Sequence, residues 1–160
     1  LNAEVKIESF NKRKVLPINN FFLDYRKTKL KNNEFIHSIK IPLFKNNIFK
    51  AFKISKRFDD DISTVCASFN LQIKKDKIIK AKIAYGGMSE IPKRATAIEK
   101  KLTNSIFTEA IFLKAKSLIK NDFRPIDDMR ASRNYRVEIA KNLLMKFFYE
   151  VSTKKNIRVN

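Results

Sequence analysis

Hydrophobic and polar residues alternate with a period of two in several stretches, the signature of strands with one buried face. In residues 64–74, Val65, Ala67, Phe69, Leu71 and Ile73 alternate without a break against Thr64, Cys66, Ser68, Asn70, Gln72 and Lys74. Lys75-Asp76 turns the chain, and Ile79, Ala81, Ile83 and Tyr85 mark one face of the return strand. The pair predicts an antiparallel hairpin buried on one side. A second hairpin is predicted over residues 1–16, with Ala3, Val5 and Ile7 alternating against Glu4, Lys6 and Glu8 before the turn at 11–14. Residues 34–41 predict a strand stopped by Pro42, which places His37 on one face with Phe35 and Ile39. Ile48 to Ser55 predicts another. Between them, Ile18 to Tyr25 predicts one or two helical turns with Phe21, Phe22 and Tyr25 facing inward.

After Gly86-Gly87 the period lengthens to that of a helix. Pro92 suits the first turn of one helix, in which Ala95, Ile98 and Leu102 share a face. Thr108 is placed to cap a second, with Glu109 near its positive end and Ile111, Ala115 and Leu118 inside. Ser132 is placed to cap the longest, where Tyr135, Ile139, Leu143, Phe147 and Val151 recur at every fourth residue. Strands followed by helices predict an α+β fold: an antiparallel sheet of three or more strands, built on hairpins and packed against about three C-terminal helices. Lys154 to Asn160 are polar and are expected to fray.

Composition narrows the chemistry. One cysteine, Cys66, excludes an internal disulfide, a cysteine-ligated zinc site and a cysteine-held cluster. One histidine, His37, excludes a multi-histidine metal centre. Two glycines in 160 residues exclude a Rossmann fingerprint and a P-loop. No apolar run approaches the ~20 residues that span a bilayer.

The net charge of +19 raises nucleic acid as a partner. The excess is 26 Lys against 9 Arg, spread along the whole chain, and Asn and Ile are also plentiful. Codon bias of a low-GC genome produces such a pattern without selection for phosphate binding. Readers of nucleic acid favour the planar fork of Arg. The lysines therefore read as a solvated face, with a basic nucleic-acid-binding module as the alternative and a cofactor-free docking module as a third reading.

Several strings fall at turns and loops, where packing does not demand them. They are Asp24-Tyr25-Arg26-Lys27-Thr28, the run from Lys53 to Ile62, Ala84-Tyr85-Gly86-Gly87-Met88, Pro92-Lys93-Arg94-Ala95, and Asp128-Met129-Arg130-Ala131-Ser132 with Tyr135-Arg136. In this order they resemble the flavin domain of the molybdenum hydroxylases and its carbon monoxide dehydrogenase flavoprotein C-terminal module, as found in the small subunit of bacterial xanthine dehydrogenases. The resemblance covers nearly the whole chain. It implies that residues 1–56 are the last strands of an FAD-binding domain and 57–160 the C-terminal module. The start at Leu1 fits a fragment. The family's glycine-rich phosphate loop lies upstream, so the fragment alone is expected to bind FAD weakly or not at all.

The resemblance also implies roles. FAD there receives electrons from 2Fe-2S clusters and passes hydride to NAD+, during purine hydroxylation at a molybdopterin centre in the large subunit. The implied partners are the upstream FAD and iron–sulfur portion, the molybdenum-containing large subunit and NAD, in the cytoplasm. Ile36 matches a strand residue that packs on the cofactor, although an apolar strand residue is ordinarily core. Lys53 matches a lysine that contacts FAD. Arg57-Phe58-Asp59-Asp60-Asp61 resembles the loop beside the isoalloxazine ring, with Asp60 as the nearest acid and Arg57 as its counter-charge. Carboxylates there would tune the cofactor's redox potential. Phe58 departs from the pattern, standing where relatives carry a second arginine. The plainer reading is that Asp59 to Asp61 cap a short helix beginning near Ile62. Arg130, Arg133 and Arg136 read as a solvated or salt-bridged face, and Gly86-Gly87 as a sharp exit from the sheet.

Overall fold

The computed structural model describes residues 1–58 and 60–154, so the expected fraying of 155–160 lies outside the described residues. The chain divides into two units, Leu1–Lys45 and Asn46–Asn160, whereas the sequence expectation set the boundary at 56/57.

The first unit runs β1 (Glu4–Ser9), β2 (Lys12–Pro17), a 3-10 turn (Ile18–Asn20), β3 (Phe22–Asp24), β4 (Lys27–Thr28) and β5 (Phe35–Lys40). β1 is central, with β2 and β5 antiparallel on either side. Its Val5 and Ile7 are buried with Phe21, and Leu16, Ile18 and Phe22 pack against them. Lys14 Nζ holds the Glu34 carboxylate at 2.6 and 2.8 Å.

Two expectations fail in this unit. The segment after Pro17 forms one 3-10 turn and then a short hairpin, and Tyr25 lies at its exposed tip. His37 is exposed rather than at the core edge. Lys6 faces Ser38 while Ile7 faces Ile36, so His37 is the extra residue of a β-bulge. The bulge puts Ile36 and Ile39, not His37, on the face shared with Ile7 and Val5.

The second unit is an antiparallel meander, β6 (Ile48–Ile54), β7 (Val65–Lys74), β8 (Lys77–Gly86) and β9 (Lys93–Arg94), followed by four helices. These are α1 (Thr96–Leu102), α2 (Glu109–Lys116), the short α3 (Ile119–Asp122) and α4 (Arg133–Thr153). The α+β expectation holds, with α3 as an addition. Lys75 and Asp76 both take positive φ, 48° and 59°, the twist a tight hairpin requires. A bulge at Ile79 shifts the β8 register, so Ile78 enters the core and Ile79 faces solvent.

The helices cover one face of the meander. Phe69 stacks on Phe147 of α4 at 4.9 Å and meets Tyr85 edge-on at 5.9 Å. The Tyr85 hydroxyl, buried with the rings, donates to Ala140 O at 3.0 Å, and desolvation pushes its pKa well above the usual value. Phe112, absent from the predicted inner face of α2, is fully buried there.

Helix capping differs from expectation at two starts. Pro92 precedes β9 instead of opening α1. Ala95 at the head of α1 has no capping side chain, and Asp122 of α3 takes over that task. Its carboxylate accepts from Ala97 N at 2.9 Å, Ile98 N at 3.3 Å and Thr96 Oγ1 at 3.1 Å. Thr108 sits at the N-cap of α2 without a side-chain bond, whereas Ser132 caps α4 by accepting from Tyr135 N. Glu99, also buried, accepts from Ile83 N at 2.7 Å and binds the Arg94 guanidinium.

Candidate functional site

β6 alternates Phe49, Ala51 and Lys53 toward solvent with Ile48, Phe52 and Ile54 toward the core. Register then places Lys53 beside Cys66 and Gly86, and Ala51 beside Ser68 and Ala84. The face opposite the helices therefore has a patch of short side chains, Ala51, Cys66, Ser68 and Ala84, bordered by the cations Lys53, Lys82 and Arg94. Partial burial pushes the Cys66 thiol above its usual pKa, while the Lys53 charge pulls the other way.

Beyond Ile54 the chain leaves the sheet in the acidic loop. Asp61, not Asp60, organises it. Asp61 Oδ2 accepts from Lys56 N and Arg57 N, both at 3.0 Å, and the Ser55 hydroxyl donates to Arg57 O at 2.8 Å. The Arg57 amide is the main reason the Asp61 carboxyl lies below the ordinary carboxylate range. Thr64 N then returns to Ile54 O at 2.7 Å and closes the loop.

Asp60 is exposed, with a left-handed φ of 49°. Among the described residues no ion pair joins it to Arg57, so the expected counter-charge is not formed. No helix begins at Ile62 either. Asp59 lies outside the described residues. Phe58 is fully exposed.

Arg136 fixes the base of this loop. It is almost fully buried, and its Nη1 donates to Thr64 O at 2.7 Å and Gly87 O at 2.9 Å. Its Nη2 meets Asp128 Oδ1 at 2.6 Å. Of the arginines read as a solvated or salt-bridged face, all three are ion-paired: Arg130 and Arg133 are partly open, paired with Asp128 at 3.9 Å and Asp127 at 3.6 Å, and Arg136 is the buried member. Burial alone would raise the Asp128 carboxyl. The amides of Arg130 and Ala131 and the Arg136 guanidinium outweigh it, so the group titrates below its usual value. Gly87 is required at this point: its φ is +76°, and a Cβ there would stand 2.3 Å from Thr64 O.

Lys56 Nζ crosses to Met129 O at 2.7 Å and ties the acidic loop to the segment before α4. Between them lies a cleft of about 380 Å³ lined by Ser55, Lys56, Thr64, Arg130, Ser132 and Tyr135. Lys56 and Arg130 make it cationic. Neither Arg57 nor Asp60 lines it. Lys53, Arg57 and Asp60 thus lie on one strand and the loop leaving it, while Ile36 belongs to β5 of the first unit, half-exposed.

Sequence reasoning missed Asp122 and Glu99, which serve amides far along the chain. It also missed the clamp formed by Arg136. Asp128 and Arg136 were legible as neighbours eight residues apart, but the glycine pair they meet lies 49 residues before Arg136.

A family described as the CO dehydrogenase flavoprotein C-terminal domain matches residues 50–151. One described as the FAD binding domain in molybdopterin dehydrogenase matches residues 1–44. A xanthine dehydrogenase of Oryza sativa subsp. japonica is 31% identical over 158 residues, which cover 95% of this chain and 12% of the relative. The glyceraldehyde dehydrogenase medium chain of Sulfolobus acidocaldarius is 26% identical over 152 residues, covering 95% of this chain and 54% of that one. In fold the chain matches quinoline 2-oxidoreductase from Pseudomonas putida 86 with a TM-score of 0.85 at 21% identity, over 96% of this chain and 53% of that chain. Reconstituted CO dehydrogenase from Oligotropha carboxidovorans matches with a TM-score of 0.81 at 20% identity. The chain spans at most about half the length of these relatives.

Proposed function

Because the chain belongs to the CO dehydrogenase flavoprotein C-terminal domain family, we propose that it is the C-terminal part of the FAD-binding portion of a xanthine dehydrogenase-type molybdenum hydroxylase. FAD, when bound, supplies the two-electron chemistry between iron–sulfur centres and NAD+. The partners of this reading are the upstream flavin and iron–sulfur portion and a molybdopterin-containing subunit. Its substrate is a purine and its compartment the cytoplasm, a setting consistent with the absence of any described helix long and apolar enough to cross a membrane.

The observation that carries the reading is the strip beside Lys53. A planar ring needs a flat floor, and Ala51, Cys66, Ser68, Ala84 and Gly86 supply short side chains or none, between Lys53 on one margin and Arg94 of β9 on the other. Lys53 supplies a cation at its margin for an electron-rich ring edge. Ile36, on β5 of the first unit, is a separate apolar candidate for the cofactor. Asp60, on an exposed turn beyond the end of β6, sets a negative charge near the entrance for the acceptor. Arg57 balances the loop's acids at a distance rather than by contact. The residues present suit the ring end of the cofactor. They do not suit its pyrophosphate, since the two glycines of the chain are adjacent and one is taken up by the Thr64 contact.

Rapid-mixing reduction of NAD+ by the complete flavin subunit tests the assignment of Asp60. Asp60→Ala is expected to change the rate of hydride passage several-fold while FAD content is kept. An unchanged rate removes Asp60 from the site.

A further inference from the structure

The end of the second unit remote from Lys53 is strongly basic. The β7–β8 hairpin turns there at Lys75-Asp76, and the loop after α1 runs back along it. Phe107 N donates to Asp76 O at 2.7 Å, Ile78 N to Ser105 O at 2.9 Å and Asn104 N to Ile78 O at 2.8 Å. The two segments that meet, 71–82 and 100–108, carry seven lysines against one acid, Asp76. Lys74, Lys75, Lys77, Lys80 and Lys101 are all exposed, and among the described residues none of them is in an ion pair. At a rise of about 3.3 Å per residue along β7, Lys74 stands about 26 Å from Cys66 and the patch beside Lys53.

This arrangement costs stability. Lys74 and Lys77 are direct cross-strand partners, and like charges placed so repel. Lys75 holds a φ of 48°, a conformation that Asn adopts more readily than Lys. Asn shares the AT-rich codons of Lys, so codon bias alone would equally supply the less strained residue. Neither genome composition nor the fold accounts for the lysines at this turn.

Two apolar side chains stand among them. Ile106, which bridges to Lys77, is 63% exposed, and Ile79, at the bulge of β8, is 42% exposed. Apolar contacts ringed by charge are the anatomy of a protein–protein contact. Nucleic acid suits this end less well. The two segments hold no arginine to fork onto a base or phosphate, and their one aromatic, Phe107, packs on Phe112 at 5.2 Å rather than offering a face for stacking. A second copy of the chain, itself at +19, is repelled.

We propose that this end is a docking surface for an acidic face of a different protein. Carboxylates of that partner pair with Lys74, Lys75 and Lys77, and its apolar side chains cover Ile79 and Ile106. The pairing also relieves the repulsion between Lys74 and Lys77. The contact does not depend on the flavin reading, because it lies at the opposite end of β7 from the Lys53 patch.

Fluorescence anisotropy tests it, with the 160-residue chain and two probes of equal charge: a peptide of glutamates with interspersed leucines, and a single-stranded DNA. The peptide is expected to bind at low salt. Lys75→Glu with Lys77→Glu is expected to weaken it by on the order of tenfold. Lys114→Glu with Lys120→Glu, at exposed positions of α2 and α3 and with the same net charge, is expected to weaken it by less than about twofold. The single change Lys74→Glu gives Lys77 an opposite charge, so it is expected to raise the melting temperature by about 1–2 °C and still to weaken the peptide. That combination separates docking from folding. Loss of both stability and binding in Lys74→Glu shows that the lysine serves the fold and overturns the proposal. Equal weakening by the two double variants reports net charge alone and overturns it, as does the absence of peptide binding at low salt. DNA bound more tightly than the peptide, and released by the hairpin variant, names nucleic acid as the occupant and also overturns it.

Discussion

The guanidinium of Arg136 donates to the Thr64 carbonyl at 2.7 Å across 72 residues of sequence. With its bonds to Gly87 O and Asp128, it joins the return of the acidic loop, the exit from β8 and the start of α4 at one point. The return of the loop that carries Arg57 and Asp60 is anchored at that joint.

Arg136→Met is expected to destabilise the chain by about 3 kcal/mol, because it strands two carbonyls and a carboxylate around a buried position. Urea unfolding followed by circular dichroism measures it. A loss below about 1 kcal/mol would show that the contacts are incidental.

The two glycines should respond oppositely to alanine. Gly87→Ala combines a positive φ with a methyl 2.3 Å from a carbonyl oxygen, and should cost about 2 kcal/mol or more. At Gly86 the added methyl would meet Cys66 Cβ at 3.7 Å, an ordinary contact, so Gly86→Ala should stay within about 0.5 kcal/mol. Paired thermal melts compare them.

Asp122→Ala removes the acceptor for the first amides of α1. It is expected to cost about 1–2 kcal/mol, the range of a lost N-cap, although the cap comes from another helix. Exchange of the Ala97 and Ile98 amides should quicken more than that of the β7 amides. Uniform quickening would mean that α1 has no stability of its own to lose.

Asp128 sets an acid limit. Its folded pKa lies below the unfolded value, so its contribution is complete above about pH 4 and is lost as pH falls through the folded value. Stability should therefore decline on acidification below about pH 4. Asp128→Asn should lower stability at neutral pH and flatten that decline, as urea midpoints at successive pH values will report. An unchanged acid slope would remove Asp128 as a source.

The parts of the fold legible in the sequence are those set by local periodicity. β7 alternates over its whole length, Lys75-Asp76 can adopt positive φ, and Ser132 starts a long amphipathic helix. What the sequence hid was set by partners far along the chain. The bulges at His37 and Ile79 follow from pairing register, which no single strand encodes. The cap at α1 comes from Asp122, twenty-five residues beyond Ala97. In the candidate site, the Lys53 strand and the loop were legible as a string. That Asp61 rather than Asp60 would hold the loop's amides depends on backbone geometry, which the Asp59-Asp60-Asp61 run does not distinguish.

If this chain completes the ring end of an FAD site, flavin content must depend on it. The complete flavin subunit, purified and scanned in the visible range, is expected to carry about one FAD per chain. Lys53→Met should lower FAD affinity by on the order of tenfold, about 1.4 kcal/mol, without lowering the melting temperature of the FAD-free protein. A complete subunit that purifies colourless and stays so after incubation with FAD, or a Lys53→Met variant that binds FAD as tightly as the parent, would contradict the account.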